Sequence, residues 1–312
     1  MFGRPRYGLA LGGGGARGGA HLGVLEVLDE IGYEPDVIVG TSIGGVVAAL
    51  FGCGLSASEI RQVVADTDMD TLVNIDRLGK GLIGNAMLAA ELRKHLGNAD
   101  LRDLPVRVGL MAVDIRSGER VLLDRGPAVE AVLATTAVPG LFPAIEWGER
   151  LLVDGGVMSN LPTEATYALG AERVVAVDVA GLLDLDLALN DVGTLSRRLQ
   201  RLLYWLLNLS NRQNAFDTLI QSTMLSYRTL VRYELAAYPP DVLIRPDLPA
   251  LGLMAMENIL DTAPAGREAA LEAAPAIRAL MRRPYVLHQR PSYGPPPLAR
   301  IEPYPHGETE WA

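Results

Sequence analysis

The sequence begins with two short apolar segments that each run into a glycine-containing turn and then into a helical pattern. Residues Tyr7–Leu11 lead into four consecutive glycines, and apolar positions at helical spacing follow from residue 16 to about residue 30. Residues 36–39 (DVIV) lead into the turn at residues 40–44, and a helix of small residues follows to about Gly52. Two strand–turn–helix units in succession predict a parallel sheet covered by helices.

The same alternation continues to about residue 180, after which the chain becomes mainly helical. We expect further strands at residues 106–113, 151–153, 174–179 and 242–245, with helices at about 195–237 and 265–281. The fold class is therefore α/β, a three-layer α/β/α sandwich with a mostly parallel central sheet.

This alternation of strands and helices predicts one large domain followed by a short extension. The domain spans residues 1–290, with a motif-bearing core at about 7–180 and a helical C-terminal part at about 195–283. Residues 291–312 form a proline-rich tail with little apolar patterning, which we expect to be disordered or laid on the surface.

Composition and charge exclude several classes of function. Hydrophobic residues make up 49% of the chain and aromatic residues 5%, a balance typical of aliphatic α/β packing. The net charge of −9 argues against a nucleic-acid partner. The one cysteine and four scattered histidines give no zinc-binding spacing, so we expect no metal and no cofactor.

The cysteine count and the lengths of the apolar runs favour a cytoplasmic protein with no membrane span. One cysteine excludes a disulfide framework, and no apolar run reaches the length of a transmembrane helix. Arg4 and Arg6 precede an apolar run that is too short for a signal peptide, so we expect the N-terminus to belong to the mature protein. Any membrane association would be peripheral, at the inner face.

The glycine run after the first strand matches G-x-G-x-x-G and has two interpretations. It consists of Gly13, Gly14, Gly15, Ala16, Arg17 and Gly18. In a dinucleotide-binding oxidoreductase such a loop holds a pyrophosphate, and an acidic residue at the end of the next strand holds the ribose. Here the nearest acid, Asp36, begins that strand instead. The other interpretation is an oxyanion hole built from the amides of Gly13, Gly14 and Gly15.

The second turn contains a candidate nucleophile. Gly40-Thr41-Ser42-Ile43-Gly44 follows an apolar strand and precedes a helix, which is the structural context that a G-x-S-x-G nucleophile requires. The alternative is that Ser42 is an ordinary helix N-cap, a position that serine favours. The turn ends the next strand in sequence after the glycine loop, and this pairing makes the catalytic interpretation the stronger one.

The base is better sought among carboxylates than among histidines. His95 lies in a charged helical stretch, a pattern that predicts exposure to solvent, while His288 and His306 lie near or in the tail. His21 faces inward and is expected to be a hydrogen-bonded structural residue. Asp154 leaves a strand into Gly155 and Gly156, and burial in an apolar cleft would raise its pKa toward a useful value. Asp114 and Asp178 also end strands and are competitors.

These motifs together resemble the patatin-like phospholipase family, specifically its bacterial members. The three glycine motifs come in the family's order, and the blocks at residues 134–143, 160–162 and 244–248 also fit. The resemblance extends from about residue 7 to residue 283. This chain has Thr135-Thr136 where the family often has serine.

The resemblance implies a Ser–Asp dyad with no metal and no histidine. Ser42 would attack the ester, Asp154 would take its proton, and the glycine loop would stabilise the oxyanion. The expected function is hydrolysis of lipid acyl esters, as in a phospholipase A or a lysophospholipase. Two alternatives remain open: a weakly catalytic or non-catalytic lipid-binding protein, and the disfavoured dinucleotide-binding oxidoreductase.

The expected partners are a lipid or other acyl-ester substrate and, transiently, a membrane surface. Residues 197–207 place arginines beside leucines and aromatic residues, a composition that suits an amphipathic lid. The favoured interpretation of this segment is instead a helix packed on the protein's own sheet or at a contact in a homo-oligomer.

Overall fold

The computed structural model describes residues 4–67, 74–75, 83–180, 215–248, 255–283 and 299–300. Outside these residues lie nearly all of the predicted tail and residues 197–207, the segment interpreted as a packed helix or, alternatively, as a lid. From that tail, Ala299–Arg300 form a short strand in the main sheet.

A nine-stranded sheet is the centre of the described structure. In chain order, the described strands are β1 (Tyr7–Leu11), β2 (Val37–Thr41), β3 (Asn74–Ile75), β4 (Ile83–Gly84), β5 (Arg107–Asp114), β6 (Glu119–Leu123), β7 (Ile145–Trp147), β8 (Arg150–Asp154), β9 (Arg173–Val177), β10 (Val242–Ile244) and β11 (Ala299–Arg300). The main sheet has the order β10-β9-β1-β2-β5-β6-β11, with β8 pairing to β5 and β7 to β8. Strands β3 and β4 form a separate antiparallel pair.

The sheet is parallel from β10 through β5, which confirms the expected mostly parallel core. Strand β5 pairs in antiparallel fashion with both β6 and β8. Strand β6 lies on the side of β5 away from β2, so β8 shares the β2 side and begins its pairing where β2 stops.

Helices connect the strands and cover both faces of the sheet. Those described are α1 (Ala20–Glu30), α2 (Ile43–Gly52), α3 (Ala57–Asp66), α4 (Ala86–Leu96), α5 (Ala128–Thr135), α6 (Thr163–Ala168), α7 (Ala215–Ala237) and α8 (Ala263–Arg282). Short 3-10 helices occur at Gly15–Gly19, Leu101–Asp103, Gly155–Val157 and Met256–Thr262.

Alternate residues of the central strands enter two separate apolar cores. In β1, Leu9 and Leu11 join a core with helices α1, α2 and α5, whereas Ala10 joins a second core with α6 and α7. Side chains that alternate between two buried faces need a helical layer on each face. The expected α/β/α sandwich is therefore confirmed.

Helix α1, which follows the glycine loop, packs unusually closely against α8. A Cβ added at Gly23 would lie 2.6 Å from the amide nitrogen of Arg267, and one added at Gly266 would lie 2.8 Å from the Cα of Ala20. Glycine at these positions lets the two backbones approach each other. The contact fixes the position of α1 and, through it, of the loop that precedes it.

Candidate active site

Ser42 occupies a strained turn between β2 and α2. Its φ and ψ angles are 55° and −126°, and it is the one non-glycine residue with positive φ in the described part of the chain. Although it stands at the N-cap position of α2, its side chain makes no capping hydrogen bond. The simple N-cap interpretation is therefore wrong, because a serine cap adopts an extended backbone and accepts from the helix. Strain of this kind is typical of functional positions.

The two glycines of the turn allow the backbone to fold this tightly. A Cβ added at Gly44 would lie 2.7 Å from the carbonyl oxygen of Gly12, and one added at Gly40 would lie 2.5 Å from the amide nitrogen of Gly45. Both distances are shorter than any ordinary carbon contact. A side chain is thus excluded at both positions, at Gly40 because the turn packs on itself and at Gly44 because the turn packs against the end of β1.

Asp154 ends β8 and lies beside Ser42. Its side chain is buried, with 1% of the residue exposed. The Oδ1 oxygen accepts a hydrogen bond from the amide of Gly156 at 2.7 Å, while Oδ2 has no well-formed hydrogen bond among the described residues. Burial raises the pKa of Asp154 to about 6, and hydrogen bonding with the Ser42 side chain and the Gly156 amide opposes that rise. The carboxyl is thus shielded from water and interacts with the Ser42 hydroxyl.

The glycine loop lies against the same serine, but its first amide is already occupied. A Cβ added at Gly13 would lie 3.1 Å from the Cβ of Ser42. The Gly13 amide donates to the carbonyl oxygen of Asn160 at 3.1 Å, and the Asn160 side chain donates back to the Gly13 carbonyl at 3.1 Å. Gly13 therefore shapes the loop and cannot also donate to an oxyanion. Among the described residues, the amides of Gly14 and Gly15 donate no hydrogen bond and remain as candidate donors.

The rest of the motif holds the loop in place. Arg17 is buried and donates to the carbonyl oxygen of Ala180 at 2.7 Å. Ala16 is fully buried, and a Cβ at Gly18 would lie 2.6 Å from the Cγ2 of Ile43. These residues support the loop by packing and by hydrogen bonding to backbone.

His21 is structural, as expected from the sequence. It is fully buried, and its Nε2 lies 2.8 Å from the carbonyl oxygen of Gly12. Burial lowers its pKa to about 4, so the ring is neutral near pH 7 and Nε2 carries the proton. His21 thus ties α1 to the glycine loop. His95 is half-buried on α4, 3.7 Å from Glu91, and not as exposed as its charged neighbours indicate.

The competing carboxylates are committed to other partners. Asp114 accepts from the amides of Leu151 and Arg116 and from the Ser117 hydroxyl, and these bonds outweigh burial and lower its pKa. Asp178 accepts from Arg245 at 3.1 Å and from the amide of Ala180 at 3.2 Å.

Asp36 lies near the beginning of β1, at the opposite end of that strand from the glycine loop. It accepts from the amide of Tyr7, the first residue of β1, and pairs with Arg4 at 2.7 Å. A ribose-binding acid would have to lie at the other ends of the strands. The position of Asp36 therefore removes the basis for the dinucleotide interpretation.

Two contacts of the site were not foreseen from the sequence. Tyr227 on α7 is buried, its hydroxyl has no partner among the described residues, and a Cβ on Gly156 would lie 2.8 Å from its Cε2. Thr135 accepts a hydrogen bond from the Ser42 amide at 3.0 Å. No motif identifies Tyr227, whereas Thr135 belongs to the block at residues 134–143 and could have been singled out there.

The described residues hold no cluster of acidic, histidine or cysteine side chains suited to a metal ion. None of their helices combines the length and apolarity that a membrane span requires.

Comparison with known proteins places the chain in a family. The profile of the patatin-like phospholipase family matches residues 9–167. An uncharacterized NTE family protein of Mycobacterium tuberculosis is 31% identical over 294 residues, which cover 88% of this chain and 47% of the relative. Patatin-like phospholipase domain-containing protein 6 of Mus musculus is 28% identical over 188 residues, covering 58% of this chain and 14% of the relative. The chain thus spans about half the length, or less, of these relatives.

A solved structure shares the fold. The crystal structure of VipD from Legionella pneumophila superimposes with a TM-score of 0.52 at 13% identity, covering 88% of this chain and 67% of that chain. At this identity the likeness concerns the fold alone. The matched profile covers half of the chain and includes the glycine loop, the Ser42 turn and Asp154. The chain belongs to the patatin-like phospholipase family.

Proposed function

We propose that this protein is a serine esterase that hydrolyses lipid acyl esters, with Ser42 as nucleophile and Asp154 as general base. The observation that carries the proposal is the pairing of a strained serine with a buried carboxyl whose pKa is raised to about 6. A base with that pKa holds a useful fraction of carboxylate near neutral pH and accepts a proton more readily than an exposed aspartate.

The proposed reaction has two steps. Ser42 Oγ attacks the ester carbonyl carbon while Asp154 takes the hydroxyl proton, and the tetrahedral intermediate then expels the alcohol, which receives that proton. In the second step water attacks the acyl-serine ester, Asp154 accepts the water proton, and Ser42 leaves with that proton as the fatty acid is released. Each cycle consumes one ester and one water and returns both residues to their starting states.

Support for the oxyanion site comes from the glycine loop. The amides of Gly14 and Gly15 are the donors proposed to stabilise negative charge on the carbonyl oxygen, since Gly13 is already paired with Asn160. Backbone donors held in place before the reaction stabilise such charge without reorganising.

The substrate class is proposed from the family to which the chain belongs. A lipid substrate resides in a membrane or micelle, so we also propose transient contact with a membrane surface.

A fluorophosphonate probe tests the nucleophile. We expect it to label the purified protein and to fail on Ser42→Ala. Ser58→Ala is the matched control, because Ser58 is an exposed serine on α3 and should not affect labelling. Labelling that survives Ser42→Ala would reject Ser42 as the nucleophile.

Turnover then distinguishes an esterase from a lipid-binding protein. Purified protein is assayed with a phospholipid, a lysophospholipid and a short p-nitrophenyl ester. Release of fatty acid or nitrophenol that Ser42→Ala abolishes supports the proposal. Binding of lipid vesicles without turnover of any of the three esters would favour the lipid-binding alternative.

A further inference from the structure

The side chain of Thr135 links the nucleophile turn to the neighbouring strand. Thr135 is the last residue of α5 and is fully buried. Its Oγ1 accepts a hydrogen bond from the Ser42 amide at 3.0 Å and lies 2.5 Å from the carbonyl oxygen of Met111, to which it donates. A hydroxyl has one proton, so donation to Met111 leaves a lone pair for Ser42.

The Ser42 amide needs such a partner because it cannot pair with the carbonyl groups of the neighbouring strand β5. Strand β2 ends at Thr41, opposite Met111, so the next amide has left the regular strand pairing. The positive φ of Ser42 is a conformation that persists only where the surroundings impose it. An amide without a partner at this place would favour relaxation of the turn.

The same short segment also contacts Asp154. The amide of Asp154 donates to the carbonyl oxygen of Ala137 at 2.9 Å. Thr135 and Ala137 therefore hold the backbone amides of both members of the proposed dyad, one through a side chain and one through a carbonyl. The separation of Ser42 and Asp154 is thus set in part by these two residues.

The surroundings accommodate threonine in particular. A Cβ added at Gly45 would lie 2.6 Å from the Thr135 methyl group, so a glycine leaves the space that the methyl occupies. Valine would preserve this shape and remove the hydroxyl, while serine would preserve the hydroxyl and remove the methyl. The two roles of the side chain can therefore be separated.

We infer that Thr135 is a positioning residue whose hydroxyl holds Ser42 in its reactive conformation by bridging the Ser42 amide to Met111. The inference rests on the proposed esterase function. It also implies that the Ser42 amide is not an oxyanion donor, since Thr135 occupies it.

The test compares Thr135→Val with Thr135→Ser, using Thr136→Val as the control. Thr136 makes local hydrogen bonds to Val132 and Leu133 at the same helix end, and among the described residues its hydroxyl makes no hydrogen bond to Ser42. We expect Thr135→Val to lower kcat by about tenfold or more with KM changed less than about twofold, a pattern typical of a lost transition-state contribution. Thr135→Ser and Thr136→Val should stay within about threefold of the parent kcat.

A second readout does not depend on turnover. Hydrogen exchange of the Ser42 amide should accelerate in Thr135→Val and remain slow in Thr135→Ser and Thr136→Val. Equal kcat and equal exchange in Thr135→Val and the parent would overturn the inference. If Thr135→Val does not fold, Thr135→Ala replaces it, and activity equal to that of Thr135→Ser would likewise overturn the inference.

Failure of the function itself gives a different result. If the parent protein neither turns over esters nor reacts with the probe at Ser42, the esterase proposal fails. The exchange measurement then still decides whether Thr135 holds the turn.

Discussion

Ser42 and Asp154 lie together because β2 and β8 approach each other end to end along the same side of β5. Thr41, the last residue of β2, is opposite Met111, and Asp154, the last residue of β8, is opposite the next residue, Ala112. Strand β2 runs parallel to β5 and β8 runs antiparallel to it, so their C-terminal ends meet. Adjacent residues of one strand thus set the spacing of the proposed dyad.

Replacing Asp154 by Asn should abolish most turnover while leaving the fold intact. The amide has nearly the same shape but cannot accept the Ser42 proton, and loss of a general base lowers rates by about 10²–10⁴-fold. Steady-state hydrolysis and a circular dichroism melt measure the two effects. Asp178→Asn is the control, because Asp178 pairs with Arg245 and shares no hydrogen bond with Ser42 among the described residues. Normal activity in Asp154→Asn would move the base role elsewhere.

The rate of hydrolysis should rise with pH through an apparent pKa near 6. The base works as a carboxylate, so kcat/KM increases as Asp154 loses its proton and levels off above that value. The measurement is kcat/KM for a soluble ester between pH 4 and about pH 8. A midpoint near that of an ordinary aspartate would show that burial does not control the base.

Replacing Gly44 by Ala should destabilise the protein. The new methyl group would lie 2.7 Å from the carbonyl oxygen of Gly12, and forcing extra volume into a packed site costs about 1–3 kcal/mol. Urea unfolding measures the change. Gly118→Asn is the control, since Gly118 has φ 72° with open space around it and asparagine tolerates such angles. Unchanged stability in Gly44→Ala would contradict the tight packing described for the turn.

Glu234 on α7 should cause the free energy of unfolding to fall as pH rises above about 4.5. Burial raises its pKa to about 8, against the opposing effects of Ser159 and Arg120, with Glu164 nearby adding to the rise. A carboxyl whose pKa is higher in the folded state than the usual 4.5 contributes stability below that value. This contribution is lost progressively as pH rises toward 8.

Glu234→Gln removes this titration and tests the prediction. Between pH 6.5 and about pH 8 the free energy of unfolding of the parent should fall with pH, with a slope that corresponds to about one more proton bound in the folded state than in the unfolded state. This fall should be absent from the variant. Glu149→Gln, at an exposed position, should behave like the parent. Parallel pH curves for the parent and Glu234→Gln would show that Glu234 does not titrate in this range.

The local elements were readable from the sequence because each depends on neighbouring residues. Helix α2 spans Ile43–Gly52 as expected, and β1 spans Tyr7–Leu11. The first helical segment differs at its start, since Gly15–Gly19 form a 3-10 helix before α1 begins at Ala20. Consecutive glycines favour no single backbone conformation, so helical spacing alone could not locate this boundary.

The site could be predicted in part. The motifs identified Ser42, Asp154 and the glycine loop as candidates, and the inward pattern around His21 predicted its structural role correctly. The expectation that Gly13 donates to an oxyanion failed, because its amide pairs with Asn160, 147 residues along the chain. Spacing along the sequence contains no information on which distant carbonyl an amide will meet.

The sequence by itself determined the alternation of strands and helices, the positions of the glycine motifs, and the residues able to act as nucleophile and base. Tertiary structure decided that β8 runs antiparallel and ends beside β2, and that Thr135 bonds to the Ser42 amide. It also buried Asp154 and so raised its pKa. Residue type and local pattern set the conformations open to each segment, whereas burial and hydrogen bonding depend on residues that folding brings together.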